Sequence, residues 1–309
     1  NALSELTTNE YDANGNCKVI SYPNGNVVNI TSDVLNQITS VTDGIGTVMS
    51  CSYDDAGNLI TYNDGNGTPT TYSYTNQKFL ASVTRAGITR TMTHDANGNT
   101  ISSTDGNGTS TTNTVDNLNR LRSVSKGGVT FTIDYNANGD VTQRTDGKGN
   151  STIYDYDGLD HLTTITFPDA STMRYTYYAD NNVATRIRNT GNVTTFFYDL
   201  NGKLTKRDFP GANDDNFTYD AGGRILTANN GSASITYAYS AADRLISETM
   251  NGLTTSYSHN IPSRQRTVTY PGGTVVNEAL DLRGRLASVT NEGMVVAFMR
   301  DLGSRLTST

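Results

Sequence analysis

The heptapeptide Tyr53-Asp54-Asp55-Ala56-Gly57-Asn58-Leu59 decides the fold, because it recurs along the chain. It returns as Tyr198-Asp199-Leu200-Asn201-Gly202-Lys203-Leu204 and as Tyr219-Asp220-Ala221-Gly222-Gly223-Arg224-Ile225. Partial copies keep Tyr11, Asp12 and Gly15, or Tyr156, Asp157 and Leu162. Aligned on this pattern, fifteen repeats begin at residues 11, 32, 53, 74, 94, 115, 135, 156, 178, 198, 219, 239, 259, 280 and 300, at intervals of 20 to 22 residues. The alignment predicts one continuous repeat array over residues 1–309.

The columns of this alignment predict a tight turn that leads into a strand. The second position is mostly Asp, as at Asp54, which suits a turn whose carboxylate accepts backbone N–H groups. The fifth position is Gly in seven repeats and Asn or Asp in five, among them Asn182. These residue types tolerate a positive φ, so we expect a left-handed residue there. The seventh position is usually aliphatic, as at Leu59, and opens the strand.

A second turn signal falls near the middle of each repeat. Asp43-Gly44, Asp64-Gly65 and Asn251-Gly252 are examples, and such dipeptides favour β-hairpins. Alternating Thr and aromatic residues follow, as in Thr71-Tyr72-Ser73-Tyr74. Period-two alternation places the rings on one face of a strand and the hydroxyls on the other. Each repeat is therefore predicted to contain two short strands and two turns.

The array predicts an all-β fold in which about thirty strands form one antiparallel strip. Open sheets seldom exceed about ten strands without curling. We therefore expect the strip to coil into a hollow spiral shell, a tube or a solenoid. The composition agrees, because 35% hydrophobic residues in a chain of 309 is low for a thick core, whereas 18 Tyr can supply a thin apolar layer.

The tandem motif Tyr-Asp-x-x-Gly-x-Leu resembles the YD repeat of RHS proteins over essentially the whole chain. In that family, which includes toxin-complex cocoons, polymorphic-toxin RHS proteins and the teneurin barrel, the repeats wind into a hollow container. The RHS core motif Asp-Pro-x-Gly-Arg-Leu is missing here. Asp281-Leu282-Arg283-Gly284-Arg285-Leu286 and Asp301-Leu302-Gly303-Ser304-Arg305-Leu306 lack its proline. A C-terminal toxin and autoproteolytic carboxylates are therefore not expected in this chain.

The sequence argues against several kinds of chemistry. His94 and His259 occupy the Tyr column and His161 lies in a turn, so repeat substitution accounts for all three histidines. No Gly-x-Ser-x-Gly, His-Glu-x-x-His or Walker motif occurs, and we expect no enzyme. A net charge of −7 disfavours nucleic-acid binding, and no apolar run is long enough to span a membrane.

Three binding interpretations stay open. We expect no cofactor, yet columns of Asp and Asn could hold Ca²⁺, with Asp54, Asp55 and Asn58, or Asp64 and Asn66, as ligands. Arginine occupies the sixth position at Arg120, Arg224, Arg244, Arg264, Arg285 and Arg305. These arginines either pair with nearby turn carboxylates, which is the favoured interpretation, or form an anion- or glycan-binding stripe. Cys17 and Cys51 lie in nearby repeats, and whether they form a disulfide is undecided.

The predicted function is structural. Both ends of the sequence fall within the array, so we expect flanking repeats of a longer chain or end-to-end self-association. The resemblance implies a secreted or cell-surface protein whose strip forms a shell or filament around a cargo such as a toxin. The alternative is an adhesion or carbohydrate-binding module that recognises surface glycans. The residues expected at structural repeat positions are Tyr11, Asp12, Gly15, Tyr53, Asp54, Gly57, Leu59, Tyr156, Asp157, Leu162, Tyr198, Asp199, Gly202, Leu204, Tyr219, Asp220, Gly223 and Ile225.

Overall fold

The structure is a computed structural model that describes residues 6–211, 213–301 and 305–308. Within these ranges the regular secondary structure consists only of β-strands. The all-β prediction is therefore confirmed. Leu302–Ser304, part of the second phrase that lacks the core proline, lie outside the described residues.

The strands are short and evenly spaced. They are β1 Thr8–Tyr11, β2 Cys17–Ser21, β3 Val27–Ser32, β4 Ile38–Asp43, β5 Gly46–Tyr53, β6 Leu59–Asn63, β7 Thr70–Tyr74, β8 Leu80–Arg85, β9 Ile88–His94, β10 Thr100–Thr104, β11 Ser110–Val115, β12 Leu121–Lys126, β13 Val129–Tyr135, β14 Val141–Thr145, β15 Ser151–Tyr156 and β16 Leu162–Thr166. They continue as β17 Thr172–Tyr177, β18 Val183–Arg188, β19 Val193–Tyr198, β20 Leu204–Asp208, β21 Asp215–Tyr219, β22 Ile225–Asn229, β23 Ser234–Tyr239, β24 Leu245–Met250, β25 Leu253–Asn260, β26 Gln265–Thr269, β27 Val275–Leu280, β28 Leu286–Asn291, β29 Met294–Ala297, β30 Met299–Arg300 and β31 Leu306–Ser308.

The first 29 strands belong to one sheet, and β30 and β31 form a separate pair. Strands that follow each other in sequence pair antiparallel, as the repeat predicts. The strand that ends in Tyr pairs with the strand that opens with the aliphatic residue across a β-bulge. In β7 and β8, for example, Ser73 lies opposite Ser82 but Tyr74 lies opposite Leu80, so Ala81 is the extra residue. The same shift pairs Tyr53 with Leu59 and Tyr219 with Ile225.

The register gives the strip two different faces. Tyr72 lies opposite Val83, whereas the next pair is Ser73 and Ser82, whose hydroxyls are 2.7 Å apart. Hydroxyl pairs recur at Thr114 with Ser123, at Thr176 with Thr185 and at Thr218 with Thr227. Rings and aliphatic chains therefore lie on one face and hydroxyls on the other, as the alternation predicts.

The described part of the strip has no thick core. Among its apolar residues only Val268 is buried, at 4% exposure, and none of its large side chains is completely buried. One apolar face per sheet provides a layer one side chain deep. This thin layer accounts for the low hydrophobic fraction of the sequence.

One repeat boundary differs from the sequence alignment. The repeat that was expected to begin at Tyr178 begins one residue earlier, because Tyr177 ends β17 and pairs with Val183 across the bulge. The left-handed residue is accordingly Asn181, with φ of 69°, and the expectation for Asn182 was wrong. Two adjacent tyrosines made the register ambiguous in the sequence.

The chain divides into two compact units. The first consists of Asn1–Thr89 with Tyr237–Thr309, and the second is Arg90–Thr236. Within the first unit, segments from the beginning and the end of the sequence contact each other. This contact places side chains of distant repeats together.

Candidate functional site

We call the segment between the strand-ending Tyr and the strand-opening aliphatic residue the YD turn. Its second-position Asp organises the backbone. In the repeat at residue 94, Oδ1 of Asp95 accepts the N–H groups of Asn97 and Asn99, both at 2.9 Å, and Oδ2 accepts from Asn99 Nδ2 at 2.8 Å. The Asn99 side-chain hydrogen bond is the largest influence that holds the pKa of Asp95 below its ordinary value. The carboxylate therefore acts as a fixed acceptor inside its own turn.

The same arrangement recurs at the predicted Asp positions. Asp12, Asp54, Asp157 and Asp199 each accept the N–H groups two and four residues ahead, and Asp220 accepts the N–H of Arg224. At the fifth position the backbone is left-handed, with φ of 86° at Gly15, 82° at Gly57, 75° at Gly202 and 84° at Gly223. A positive φ is the reason that Gly suits this place.

Four of the sixth-position arginines are engaged inside their own turns. Nε of Arg120, Arg224, Arg285 and Arg305 donates to the second-position Asp of the same repeat at 2.6 to 2.8 Å. Asn58 and His161 direct their side chains to Asp54 and Asp157 in the same way. For these four arginines, pairing within the turn is confirmed.

The strand-ending tyrosines connect each repeat to the one before it through hydrogen bonds that we call tyrosine bridges. Their hydroxyls donate to the carbonyl of the preceding strand-opening residue, as in Tyr74 to Leu59 and Tyr177 to Leu162, at 2.9 and 2.8 Å. Tyr53, Tyr135, Tyr156 and Tyr219 do the same to Ile38, Leu121, Val141 and Leu204. His259 in this column lies 3.1 Å from the Leu245 carbonyl through Nε2. The histidine thus replaces tyrosine in a structural position.

Two of the tyrosines predicted at repeat positions, Tyr11 and Tyr198, have different surroundings. Tyr11 is 56% exposed, and its hydroxyl lies 3.4 Å from Asn9 Nδ2. Tyr198 packs edge-on against Tyr178, with ring centroids 6.3 Å apart.

Adjacent YD turns are also linked to each other along one edge of the strip. Asn16 donates to Oδ1 of Asn36 at 2.7 Å, and Asn99 donates to Asn119 at 2.8 Å. Gln37 donates to the carbonyl of Gly57 at 3.0 Å. Polar side chains at the fourth to sixth positions therefore form a ladder from turn to turn.

In the first unit, half-repeat turns near residues 22–46 contact YD turns near residues 260–285. We call this contact the seam. At its centre Arg283 makes two hydrogen bonds to Asp43, Nε to Oδ2 at 2.6 Å and Nη2 to Oδ1 at 3.1 Å. The side chains are 12% and 2% exposed, respectively. Burial raises the pKa of Asp43, but hydrogen bonds from Arg283 and from the amides of Ile45 and Gly46 outweigh it, and the pKa lies below its ordinary value.

Further contacts continue the seam on both sides of this ion pair. Asn24 Nδ2 donates to the carbonyl of Leu282 at 3.1 Å, and Arg264 Nη1 donates to the carbonyl of Asn24 at 3.0 Å. The Leu282 side chain lies against Gly44, where an added Cβ would be 2.6 Å from Leu282 Cδ1. Two cavities of 490 and 420 Å³ flank these residues, one against Arg264 and the other against Asp43.

The seam has a constant offset in the sequence. Both Asn24 with Arg264 and Asp43 with Arg283 are separated by 240 residues. One repeat further along, the hydrogen bond from Arg85 is the largest influence that holds the pKa of Asp64 below its ordinary value, and the charge of Arg305 also lowers it. Half-repeat turns on one segment therefore meet YD turns on the other, one after the next.

The contacts of the seam were not predicted from the sequence. A periodic sequence contains many equivalent turns, and periodicity does not say which distant pair will meet. One signal was available, since Arg283 is the only arginine at the fourth position of any repeat in the alignment. Its partner, Asp43, lay among several similar Asp-Gly turns.

The structure bears on the cysteines, on metal binding and on membrane crossing. Cys17 and Cys51 are free thiols. Across the described ranges, no group of three or more His, Cys, Asp and Glu side chains is placed to hold a metal ion. Calcium binding stays a prediction, which calorimetric titration with Ca²⁺ would test. No helix in those ranges is long and apolar enough to cross a membrane.

The strip, the YD turns and the tyrosine bridges define a YD-repeat protein. The family model of the teneurin YD-shell matches residues 47–206 and 202–291. The chain belongs to the teneurin YD-shell family. No curated protein matches it.

Solved structures of toxin complexes are similar to the chain. A crystal structure of TcdB2-TccC3-Cdc42 has 14% sequence identity and a TM-score of 0.44, with 97% of this chain and 19% of that chain covered. A pore structure of the Photorhabdus luminescens Tc holotoxin, carrying a TccC3 mutation, has 14% identity and a TM-score of 0.42, with 96% and 17% covered. The chain thus spans less than a fifth of the length of these structures.

Proposed function

We propose that this chain is a non-enzymatic structural segment of a secreted or cell-surface RHS/YD-repeat protein. Its strip coils and forms the wall of a shell, tube or filament. The seam is the observation that carries this proposal, because it joins strip to strip through the turns at the strip edges. A wall one sheet thick needs such contacts at its edges.

The state of the polar residues supports a structural role. The Asp carboxylates of the YD turns accept backbone N–H groups, and Asp157 is the partner of His161. His259 faces a backbone carbonyl. In the 490 Å³ cavity beside the seam, Arg266 is neutralised by Glu278 at 2.5 Å. None of these arrangements combines a free nucleophile with a general base.

The resemblance to RHS proteins supports an enclosed cargo, of which a toxin is the example. A hollow wall protects a cargo by excluding proteases and solvent from one side. Flanking repeats of a longer chain, or a second copy joined end to end, extend the wall, because unpaired strand edges favour further pairing.

Electron microscopy of the purified chain and of its native assembly tests the proposal. Curved walls, hollow particles or tubes one sheet thick are the expected result. Small solid particles in both samples would overturn it. A protease-protection assay on the native assembly then tests the cargo, which should be digested only after the wall is opened.

A further inference from the structure

The YD turn at residues 281–285 carries a side chain found at this place in no other repeat. Its sixth-position residue, Arg285, pairs with Asp281 inside the turn in the usual way. Its fourth-position residue, Arg283, leaves the turn and crosses the seam to Asp43. In the other fourteen repeats of the alignment the fourth position holds no arginine. The cation at this place therefore distinguishes one YD turn from all others.

The site that receives Arg283 is shaped by the half-repeat turn to which Asp43 belongs. The Asp43 carboxylate accepts the N–H groups of Ile45 and Gly46 at 2.9 and 3.1 Å, so its orientation is set by its own half-repeat turn. Gly44 lacks a Cβ, which leaves room for the Leu282 side chain. Asn26, 5% exposed, also lies against Gly44, and its Oδ1 accepts the Gly44 N–H at 3.4 Å.

We propose that Leu282 and Arg283 form a register key, and that residues 43–46 form the matching socket. The key determines which repeats meet when the strip lies against itself. This inference deepens the proposed wall-building role and rests on it.

A slip of the strip by one repeat shows why a key is needed. Adjacent repeats have turns of similar backbone structure, so similar turns would face each other again after a shift of about 21 residues. In the sequence, the fourth position of the two neighbouring repeats is Pro262 and Gly303, so a shifted register would offer Asp43 no arginine at that position. A carboxylate that is buried without a cation is strongly unfavourable. The ion pair therefore penalises the neighbouring registers more than it stabilises the correct one.

A disulfide reporter across the seam measures the register. In a C17S/C51S background, which removes both native thiols, Gly44→Cys and Leu282→Cys place two thiols where Leu282 now contacts Gly44. Gly44 is not in the left-handed region, so cysteine is tolerated there. Under mild oxidation we expect an intramolecular disulfide and a monomer, read by mass spectrometry and non-reducing electrophoresis. Disulfide-linked dimers in place of the monomer would overturn the intramolecular key.

Variants of the ion pair then test the key itself. Arg283→Gln and Asp43→Asn should each slow the cross-linking about tenfold or more, because each leaves a buried polar partner uncompensated. The double variant should be no slower than the slower single variant, since the two side chains act as a unit. Arg283→Lys keeps the charge and should recover part of the rate. Unchanged cross-linking in Arg283→Gln would overturn the proposal.

The matched control is Arg122→Gln, which removes an arginine that pairs with Asp134 at 2.5 Å between strands of the second unit. It should leave the cross-linking rate unchanged. Circular dichroism verifies that each variant retains its strands. Failure of the wall function would appear in micrographs of the unaltered chain, whereas failure of the key would appear only in the cross-linking rates.

Discussion

The Tyr74 hydroxyl donates a hydrogen bond to the carbonyl of Leu59, 15 residues earlier, at 2.9 Å. The bond joins the first residue of one repeat to the first strand of the repeat before it. Tyr74 is half-buried, and burial raises the pKa of its hydroxyl, which stays protonated as a donor at neutral pH. Because the same bond recurs at Tyr53, Tyr156, Tyr177 and Tyr219, it is a contact between neighbouring repeats rather than a local feature.

Removing this hydroxyl should weaken the connection between two repeats. Tyr74→Phe keeps the ring but leaves the Leu59 carbonyl without its donor, and we expect a loss of about 1 kcal/mol in the free energy of unfolding. Tyr72→Phe is the control in the same strand, since no hydrogen bond of the Tyr72 hydroxyl is found in the described part of the chain. Urea denaturation measures both variants. Equal losses in the two would show that the bridge contributes nothing specific.

The YD-turn carboxylate is expected to act mainly as an acceptor of backbone N–H groups. Asp95→Ala removes the acceptor for Asn97 and Asn99, and should lower the Tm clearly. Asp95→Asn keeps an oxygen in the same place and should lower the Tm less. The chain offers a precedent, because Asn136 Oδ1 accepts the N–H groups of Gly139 and Asp140 in its own turn. Thermal melts followed by circular dichroism decide between these outcomes, and equal Tm values for the two variants would contradict this role.

The local structure could be predicted from the sequence because most repeats contain the same turn and strand residues. Asp at the second position, Gly at the fifth and Leu at the seventh predict the turn, its left-handed residue and the following strand from short-range chemistry alone. With fifteen copies, the pattern is recognisable despite exceptions such as Lys78, which adopts a φ of 66° without being Gly, Asn or Asp. Where two tyrosines are adjacent, at Tyr177 and Tyr178, the other repeats do not show which one begins the repeat, and the predicted register was wrong by one residue.

The long-range contact could not be predicted in the same way. Asp43 and Arg283 are 240 residues apart, about eleven and a half repeats, and nothing in either turn alone identifies the other. The offset depends on how much the strip twists and bends per repeat, a quantity that accumulates over hundreds of residues. Small differences in twist and bend per repeat determine which turns meet, and residue propensities for strands and turns do not predict such differences.

Acid should destabilise the folded chain. The pKa values of Asp12, Asp54, Asp95, Asp146 and Asp281 lie below the ordinary value of 3.8. For a carboxyl group with a depressed pKa in the folded state, the stabilisation is fully present above the ordinary value. It is lost as the pH falls through the folded-state pKa. We therefore expect a nearly constant Tm from neutral pH down to about pH 5, and a progressive fall below about pH 4.

Thermal melts at constant ionic strength measure this dependence. Asp95→Asn should reduce the acid-dependent fall in Tm, because one titrating group is removed. A Tm that stays level or rises below about pH 4 would contradict the expected sign.

The seam should be sensitive to the size of residue 44. Gly44→Val adds a branched side chain where a Cβ would already lie 2.6 Å from Leu282 Cδ1, and Leu282 must then move away from the strip edge. We expect a loss of about 1–3 kcal/mol, typical of overpacking. Gly158→Val is the control, because this turn glycine has no atom within 4 Å of an added Cβ and is not in the left-handed region. Combining Gly44→Val with Leu282→Ala should restore part of the loss, since the smaller residue leaves room for the valine. If the double variant is as unstable as the sum of the single variants, the contact between residues 44 and 282 is not the cause.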